Sequence, residues 1–182
     1  MDVVALGELL IDFTPAGLSD QGAALLARNA GGAPANVLAM LSILGKQTAF
    51  IGKVGSDSFG RFLKKTLEDS GIDVSGLIVS RQEPTTLAFV SLNEKGERSF
   101  DFYRSGSADV MLRQEEVSPG LLERCRVFHF GSVSMTAEPS RSATLYAAAR
   151  AKELGKLVSY DPSSALPCGR TGSRPSGSCA PV

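Results

Sequence analysis

The sequence has few of the residues that build disulfide frameworks or metal sites, and it has no excess of charge. It contains three cysteines and one histidine among 182 residues, with no C-x-x-C spacing, so neither a disulfide framework nor a zinc site is expected. Nineteen basic residues balance nineteen acidic ones, which argues against a nucleic-acid partner or an acidic membrane surface. No apolar run reaches the roughly 20 residues that span a bilayer, and the opening MDVVALGELLIDF lacks a basic leader. We therefore predict a soluble, cytoplasmic protein that binds a small molecule or another protein.

Residues 1–162 alternate between strand and helix patterns. Short apolar runs at 3–6, 48–54, 127–130 and 157–160 predict buried strands, and the segments 34–44, 58–70, 114–124 and 139–154 predict helices. This alternation indicates one α/β domain with a mainly parallel sheet. Two β-rich runs within 85–104 flank the turn signal NEKG and predict an antiparallel hairpin added to that domain.

The composition changes abruptly after Pro162. Residues 163–182 contain five serines, three prolines and three glycines, with no acidic or aromatic residue. Such a segment cannot build a core, so we predict that it is disordered. We interpret it as an out-of-frame or prematurely ended tail, a hypothesis that resequencing the gene tests.

Polar residues near the predicted strand and helix ends are candidates for a ligand site. Asp12 follows the first strand, where parallel sheets bind ligands, and its carboxylate either accepts from two hydroxyl groups or caps the next turn. In GGAPAN, Gly31, Gly32 and Asn36 start a helix whose free N–H groups can face ligand oxygens; the alternative is a tight loop without a ligand. Arg104 ends the hairpin and either closes over a ligand or is an ordinary edge-strand charge.

Two further features receive no catalytic role. GGAPAN is neither a Walker A loop nor a dinucleotide-binding G-x-G-x-x-G motif, and GKVG at 52–55 fits neither pattern. His129 lies in the apolar strand VFHFG, where a packed imidazole is expected.

The chain resembles the ribokinase-like, phosphofructokinase-B type carbohydrate kinases over residues 1–162, and among them most of all the fructokinases. The stretches that carry the resemblance are ALGELLIDF, AGGAPANVLAMLSILG, FIGKVGSDSFGRFLKKTLEDSGID, FDFYRSGSADVML, FGSVSMTAEPSRSA and LVSYDP. The resemblance implies a three-layer α/β/α sandwich with a mainly parallel sheet and a small β lid that includes 85–104. It also implies that residues 1–162 are the N-terminal, sugar-binding portion of a C-terminally truncated fold.

By the same resemblance, several positions match residues that contact the sugar. They are Asp12, Gly31, Gly32 and Asn36, the lid residue Arg104, and Gly131 and Ser132 at a strand end.

The reaction implied by the resemblance is transfer of the ATP γ-phosphoryl group to a sugar hydroxyl, from fructose to fructose 6-phosphate in fructokinases, with Mg²⁺ and a catalytic aspartate. That aspartate belongs to a Gly-Ala-Gly-Asp-type motif, and no such motif follows Asp161. We therefore assign no catalytic or metal-binding residue and expect the chain to be inactive alone. The alternatives are a kinase for 2-keto-3-deoxygluconate or ribose, a non-catalytic sugar-binding fragment that dimerises through its lid strands, and a marginally folded fragment.

Overall fold

The computed structural model describes residues 1–92 and 98–162. The strands are β1 (Val3–Leu6), β2 (Leu10–Leu18), β3 (Ala24–Gly31), β4 (Thr48–Gly55), β5 (Asp73–Ser80), β6 (Leu87–Leu92), β7 (Arg98–Tyr103), β8 (Val127–Gly131) and β9 (Leu157–Asp161). The helices are α1 (Ala33–Ile43), α2 (Ser58–Asp69), α3 (Pro119–Arg124) and α4 (Ser140–Glu153). Two 3-10 turns span Gln114–Glu116 and Ser132–Met135.

The central sheet consists of five parallel strands in the order β5-β4-β1-β8-β9. Strand β1 lies in the middle, where Val3 pairs with Thr48 on one side and with Val127 on the other. Because all five strands run the same way, the residues that follow them collect at one edge of the sheet. The predicted α/β fold with a parallel sheet is confirmed.

Helices cover both faces of the sheet because successive strand side chains point in opposite directions. Val4, Leu6 and Phe128 pack on α3 and α4, where alanines at positions 143, 147 and 151 let α4 approach closely. Ala5 and Phe50 pack on α1 and α2. Each fully buried Val, Leu or Phe side chain contributes about 1.5–3 kcal/mol of transfer free energy. The result is the predicted three-layer arrangement.

A second, four-stranded sheet forms the lid, in the order β3-β2-β6-β7. The hairpin of β6 and β7 confirms the predicted antiparallel pair, although its NEKG turn lies outside the described residues. Phe13 of β2 stacks on Phe89 of β6, with ring centroids 5.0 Å apart, and meets Phe59 of α2 edge to face at 5.8 Å. These aromatic contacts fix the lid on α2.

Several elements differ from the sequence prediction. The helix predicted over 114–124 is instead the turn Gln114–Glu116 followed by α3, because Pro119 lacks an N–H and starts a new helix. Strands β2, β3 and β5 were not predicted. The predicted disordered tail, 163–182, lies outside the described residues.

Candidate functional site

The glycine loop, formed by Gly31 and Gly32, joins the lid strand β3 to the N terminus of α1. Gly32 has a φ of 120°, which L side chains rarely adopt. A Cβ atom on Gly31 would overlap the carboxylate of Asp12, and one on Gly32 would overlap the carbonyl oxygen of Glu8. Both positions therefore need glycine, because the loop passes tightly between the lid and the segment after β1.

Asp12 is half-buried in β2, where it lies opposite Asn29 of β3. The prediction that it follows a strand of the central sheet is wrong, because it belongs to the lid sheet. Asn29 Nδ2 donates to the Asp12 carbonyl oxygen at 3.3 Å and to Thr14 Oγ1 at 3.0 Å. The Asn29 amide therefore donates to the main chain of Asp12 and not to its carboxylate. Within residues 1–92 and 98–162 that carboxylate has no hydrogen-bond donor, and burial raises its pKa. A partly desolvated acceptor therefore lies against the glycine loop.

The first turn of α1 lies over the end of β8. A Cβ atom on Gly131 would be 3.6 Å from Pro34 Cγ, so Gly131 and the start of α1 are neighbours. Asn36 is exposed in the same helical turn, and Ser132 begins the 3-10 turn directly after β8. The structure thus brings the glycine loop, Asn36 and Gly131 to one edge of the sheet.

Arg104, directly after β7, connects the lid to the central domain. Its Nε donates to Asp109 Oδ2 at 2.6 Å, and its two terminal nitrogens donate to Thr136 Oγ1 at 2.7 Å and to the Val133 carbonyl at 3.1 Å. Three of the five guanidinium N–H donors are therefore engaged in the protein. We call Arg104 and Asp109 the lid latch.

Asp109 is a residue that the sequence analysis missed. Its side chain is 1% exposed and also accepts hydrogen bonds from the hydroxyl groups of Thr86 and Ser107. It lies in an irregular segment without helical or strand periodicity, so no pattern in the sequence singles it out. Its three hydrogen-bonded contacts at the base of the lid nevertheless make it the centre of a buried polar network.

Glu8, also missed, occupies the segment directly after β1. It is 4% exposed, and its Oε1 accepts a hydrogen bond from the Ala33 N–H at 2.9 Å, at the start of α1. Its Oε2 is buried and has no hydrogen-bond partner among the residues that the structure describes. Burial raises the pKa of Glu8, and Asp109 adds to this rise, whereas the Ala33 N–H and Arg104 oppose it. An acidic residue directly after a buried apolar strand was the signal available in the sequence.

Two other buried polar groups lie apart from these residues. His129 is packed, as predicted, with Nδ1 3.1 Å from Ser159 Oγ, and burial lowers its pKa. A polar cleft of about 290 Å³ lies beside Lys53, whose ammonium group is 2.9 Å from Glu116 and 3.5 Å from Glu83. The buried lysine is thus already paired within the protein.

The match to known proteins covers most of the chain. Residues 1–172 match the pfkB family carbohydrate kinases. The chain belongs to the pfkB family of carbohydrate kinases. This pfkB chain is 49% identical over 162 residues to fructokinase-1 of Zea mays, covering 88% of the chain and 50% of the maize protein. It is 45% identical over 167 residues to a fructokinase of Solanum tuberosum, covering 91% of the chain and 52% of the potato protein.

Solved structures show the same fold. The crystal structure of fructokinase from Xylella fastidiosa superposes with a TM-score of 0.86 at 35% identity, covering 93% of this chain and 54% of that one. A structure of fructokinase from the same organism with bound ATP superposes with a TM-score of 0.83 at 35% identity, covering 93% of this chain and 52% of that one. The pfkB chain therefore has the ribokinase-like fold, and it spans about half the length of the curated relatives it matches.

The described residues contain neither a membrane-spanning helix nor a cluster of metal-binding side chains. None of the helices in 1–92 and 98–162 is long and apolar enough to cross a membrane. The same residues contain no group of three His, Cys, Asp or Glu side chains arranged to hold a metal ion.

Proposed function

We propose that residues 1–162 form the sugar-binding part of a fructokinase-type kinase, in which the γ-phosphoryl group of ATP passes to a hydroxyl of fructose and gives fructose 6-phosphate. The family assignment and the fructokinases among its relatives support this proposal. Residues 163–182 are assigned no part in it.

The observation that carries the proposal is the Asp12 carboxylate. An ionised carboxylate has about four lone-pair sites and can accept hydrogen bonds from two sugar hydroxyl groups. Here it is half-buried, lacks a donor among the described residues and lies against Gly31, where a side chain would block it. A neutral, donor-rich ligand such as a sugar would replace the water that Asp12 loses by burial.

The other proposed sugar contacts come from the glycine loop, the first turn of α1, the end of β8 and the residue that follows β7. The glycine loop and Asn36 offer backbone N–H groups and an amide at the N terminus of α1 to the sugar oxygens. Gly131 and Ser132 lie at the end of β8, on the same edge of the sheet. Among the described residues, the bonds of Arg104 to Asp109, Thr136 and Val133 leave two of its N–H donors unused, and we assign it a sugar contact through these two.

The phosphoryl-transfer step is assigned to residues outside 1–162. When bound, Mg²⁺ would neutralise the ATP phosphates, and the family's catalytic aspartate would accept the proton of the sugar hydroxyl. The described residues offer no cluster for a metal ion, so we assign no residue to Mg²⁺ or ATP and derive no step through them. The role of the described residues is to bind and orient the sugar.

Calorimetric titration of D-fructose into the 182-residue chain tests the proposal. We expect Asp12→Ala to weaken binding at least about tenfold, since it removes charge-assisted hydrogen bonds to the sugar. Asp101→Ala, which removes an exposed carboxylate from the same lid sheet, should bind fructose like the wild type. Ribose and 2-keto-3-deoxygluconate serve as competing sugars. Equal affinity of the wild type and Asp12→Ala for fructose would contradict the proposed site.

A homodimer through the lid is part of the same proposal. Strand β3 is an edge of the lid sheet, and it exposes Leu25 and Leu26. An uncovered edge with exposed leucines favours pairing with a second chain. Sedimentation velocity should show a dimer for the wild type and a monomer for Leu26→Glu. A wild-type protein that is monomeric at all concentrations would contradict the proposed homodimer. A cytoplasmic location and the absence of a nucleic-acid partner remain predictions.

A further inference from the structure

Glu8 touches the glycine loop with both its side chain and its main chain. Its Oε1 accepts the Ala33 N–H at 2.9 Å, one residue after the loop. Its carbonyl oxygen would overlap a Cβ atom on Gly32, so the loop packs directly against the Glu8 backbone. The conformation of the glycine loop therefore depends on the position of Glu8.

The second carboxylate oxygen of Glu8 lies near the end of β8. Glu8 Oε2 is 4.0 Å from the position of a Cβ on Gly131, at the end of β8. Glu8 is thus located between the glycine loop and the β8 end, which are two parts of the proposed sugar site. Asp109 and Arg104, the residues of the lid latch, are the charged groups that act on it.

The buried carboxylate of Glu8 is expected to destabilise the folded protein. A buried polar group without a hydrogen-bond partner costs stability, and its replacement by an apolar group of similar shape is often neutral or favourable. The Glu8 side chain is 4% exposed and one of its oxygens has no partner in the part of the chain that the structure describes, so this carboxylate gives no advantage to packing. Such local conflicts are expected where a residue serves function instead of stability.

We propose that Glu8 is a positioning residue of the sugar site, and that its carboxylate holds the glycine loop and the first turn of α1 in the geometry that binds the sugar. This inference rests on the proposed sugar-binding function. Glu8 acts on the sugar through the loop, since its own carboxylate is enclosed. Asn36 and the free N–H groups of α1 are the groups that it would place relative to Asp12.

The first test measures D-fructose affinity and thermal stability together. Glu8→Ala should weaken fructose binding about tenfold, the effect of losing one charge-assisted hydrogen bond that orders the site. Glu8→Gln retains an oxygen for the Ala33 N–H and should restore binding to within about twofold of the wild type. Thr48→Val is the matched control, because Thr48 Oγ1 is another buried oxygen that has no partner among the described residues, and it lies at the start of β4, remote from the site. A merely structural role would lower the melting temperature of Glu8→Ala and leave its fructose affinity unchanged, which would overturn the proposal.

The second test needs no sugar. In the ligand-free protein the amide proton of Ala33 should shift with pH as Glu8 ionises, with a midpoint above the value of about 4.3 for an ordinary glutamate, since burial raises the Glu8 pKa. The titration should disappear in Glu8→Gln, and Asp109→Asn should lower its midpoint by removing the neighbouring negative charge. An unchanged Ala33 titration in Glu8→Gln would refute the contact that positions the loop.

The two tests separate this inference from the proposed function. If the wild type binds no fructose and no competing sugar, the proposed function fails, and the role of Glu8 toward a sugar is overturned with it. If the wild type binds fructose and Glu8→Ala binds it equally well, only the Glu8 proposal fails.

Discussion

Removal of Asp109 should destabilise the whole chain, because this carboxylate is the acceptor for three side chains at the base of the lid. The Asp109 side chain is 1% exposed and that of Arg104 is 15% exposed, so the lid latch is a largely buried ion pair. Breaking a buried pair by removing one partner typically costs about 3–5 kcal/mol. Arg104 keeps its bonds to Thr136 and Val133 in Asp109→Ala, which places the expected loss near the lower limit, at about 3 kcal/mol.

Urea denaturation followed by circular dichroism measures this loss directly. In a chain of this size each kcal/mol lowers the melting temperature by about 2–4 °C, so Asp109→Ala should melt about 6–12 °C below the wild type. Arg104→Ala and the double variant complete a mutant cycle, whose coupling energy should exceed about 1 kcal/mol.

An exposed ion pair provides the control for this prediction. Lys64 and Glu68 are 3.8 Å apart, with side chains 44% and 48% exposed, so Glu68→Ala should cost less than about 0.5 kcal/mol. A loss below about 1 kcal/mol in Asp109→Ala, or additive losses in the double variant, would refute the claim that the latch fixes the lid.

Three shorter predictions concern pH, the glycine loop and a helix cap. Burial lowers the pKa of His129 in the folded protein, so the imidazole binds a proton more tightly in the unfolded chain, and the free energy of unfolding falls as pH drops below about 6.5. His129→Phe should reduce this loss of stability in calorimetric scans between about pH 7 and 5. An unchanged slope of stability against pH would contradict this prediction. Gly32→Ala should abolish fructose binding because its Cβ would overlap the Glu8 carbonyl, whereas Gly22→Ala, with positive φ but open space, should retain it in the same titration. Asp57→Ala removes the N-cap of α2 and should lower the unfolding free energy by about 1–2 kcal/mol in urea; no change in the midpoint would contradict the cap.

The middle strands of the central sheet, β1, β4 and β8, were predictable because they are buried on both faces. Runs such as VVAL and VFHFG read as continuous apolar segments, which is the pattern of a parallel strand between two helix layers. The lid strands β2 and β3 gave no such signal. Pro15 and Gly17 interrupt the pattern of β2, and most residues of β3 are exposed. The structure of these two strands therefore depends on tertiary contacts, such as that of Phe13 with α2, and not on a local sequence pattern.

The candidate site divides in a similar way. Gly31, Gly32 and Asn36 could be selected from the sequence because a glycine pair before a helix has a local meaning. The sequence could not show to which sheet Asp12 belongs, because that depends on the pairing of β2 with β3 and β6. Glu8 and Asp109 act through contacts with residues 25 and 23 positions away, at Ala33 and Thr86, and spacing in the sequence does not reveal such contacts.

The central position of β1 has a consequence for synthesis. The ribosome releases β1 before its partner β8, which follows on the order of a hundred residues later, so one of the two hydrogen-bonding edges of β1 stays open during that interval. An open, apolar strand edge is a template for intermolecular pairing. Nascent chains that stop between β5 and β8 should therefore depend on chaperones more than chains that have released β8.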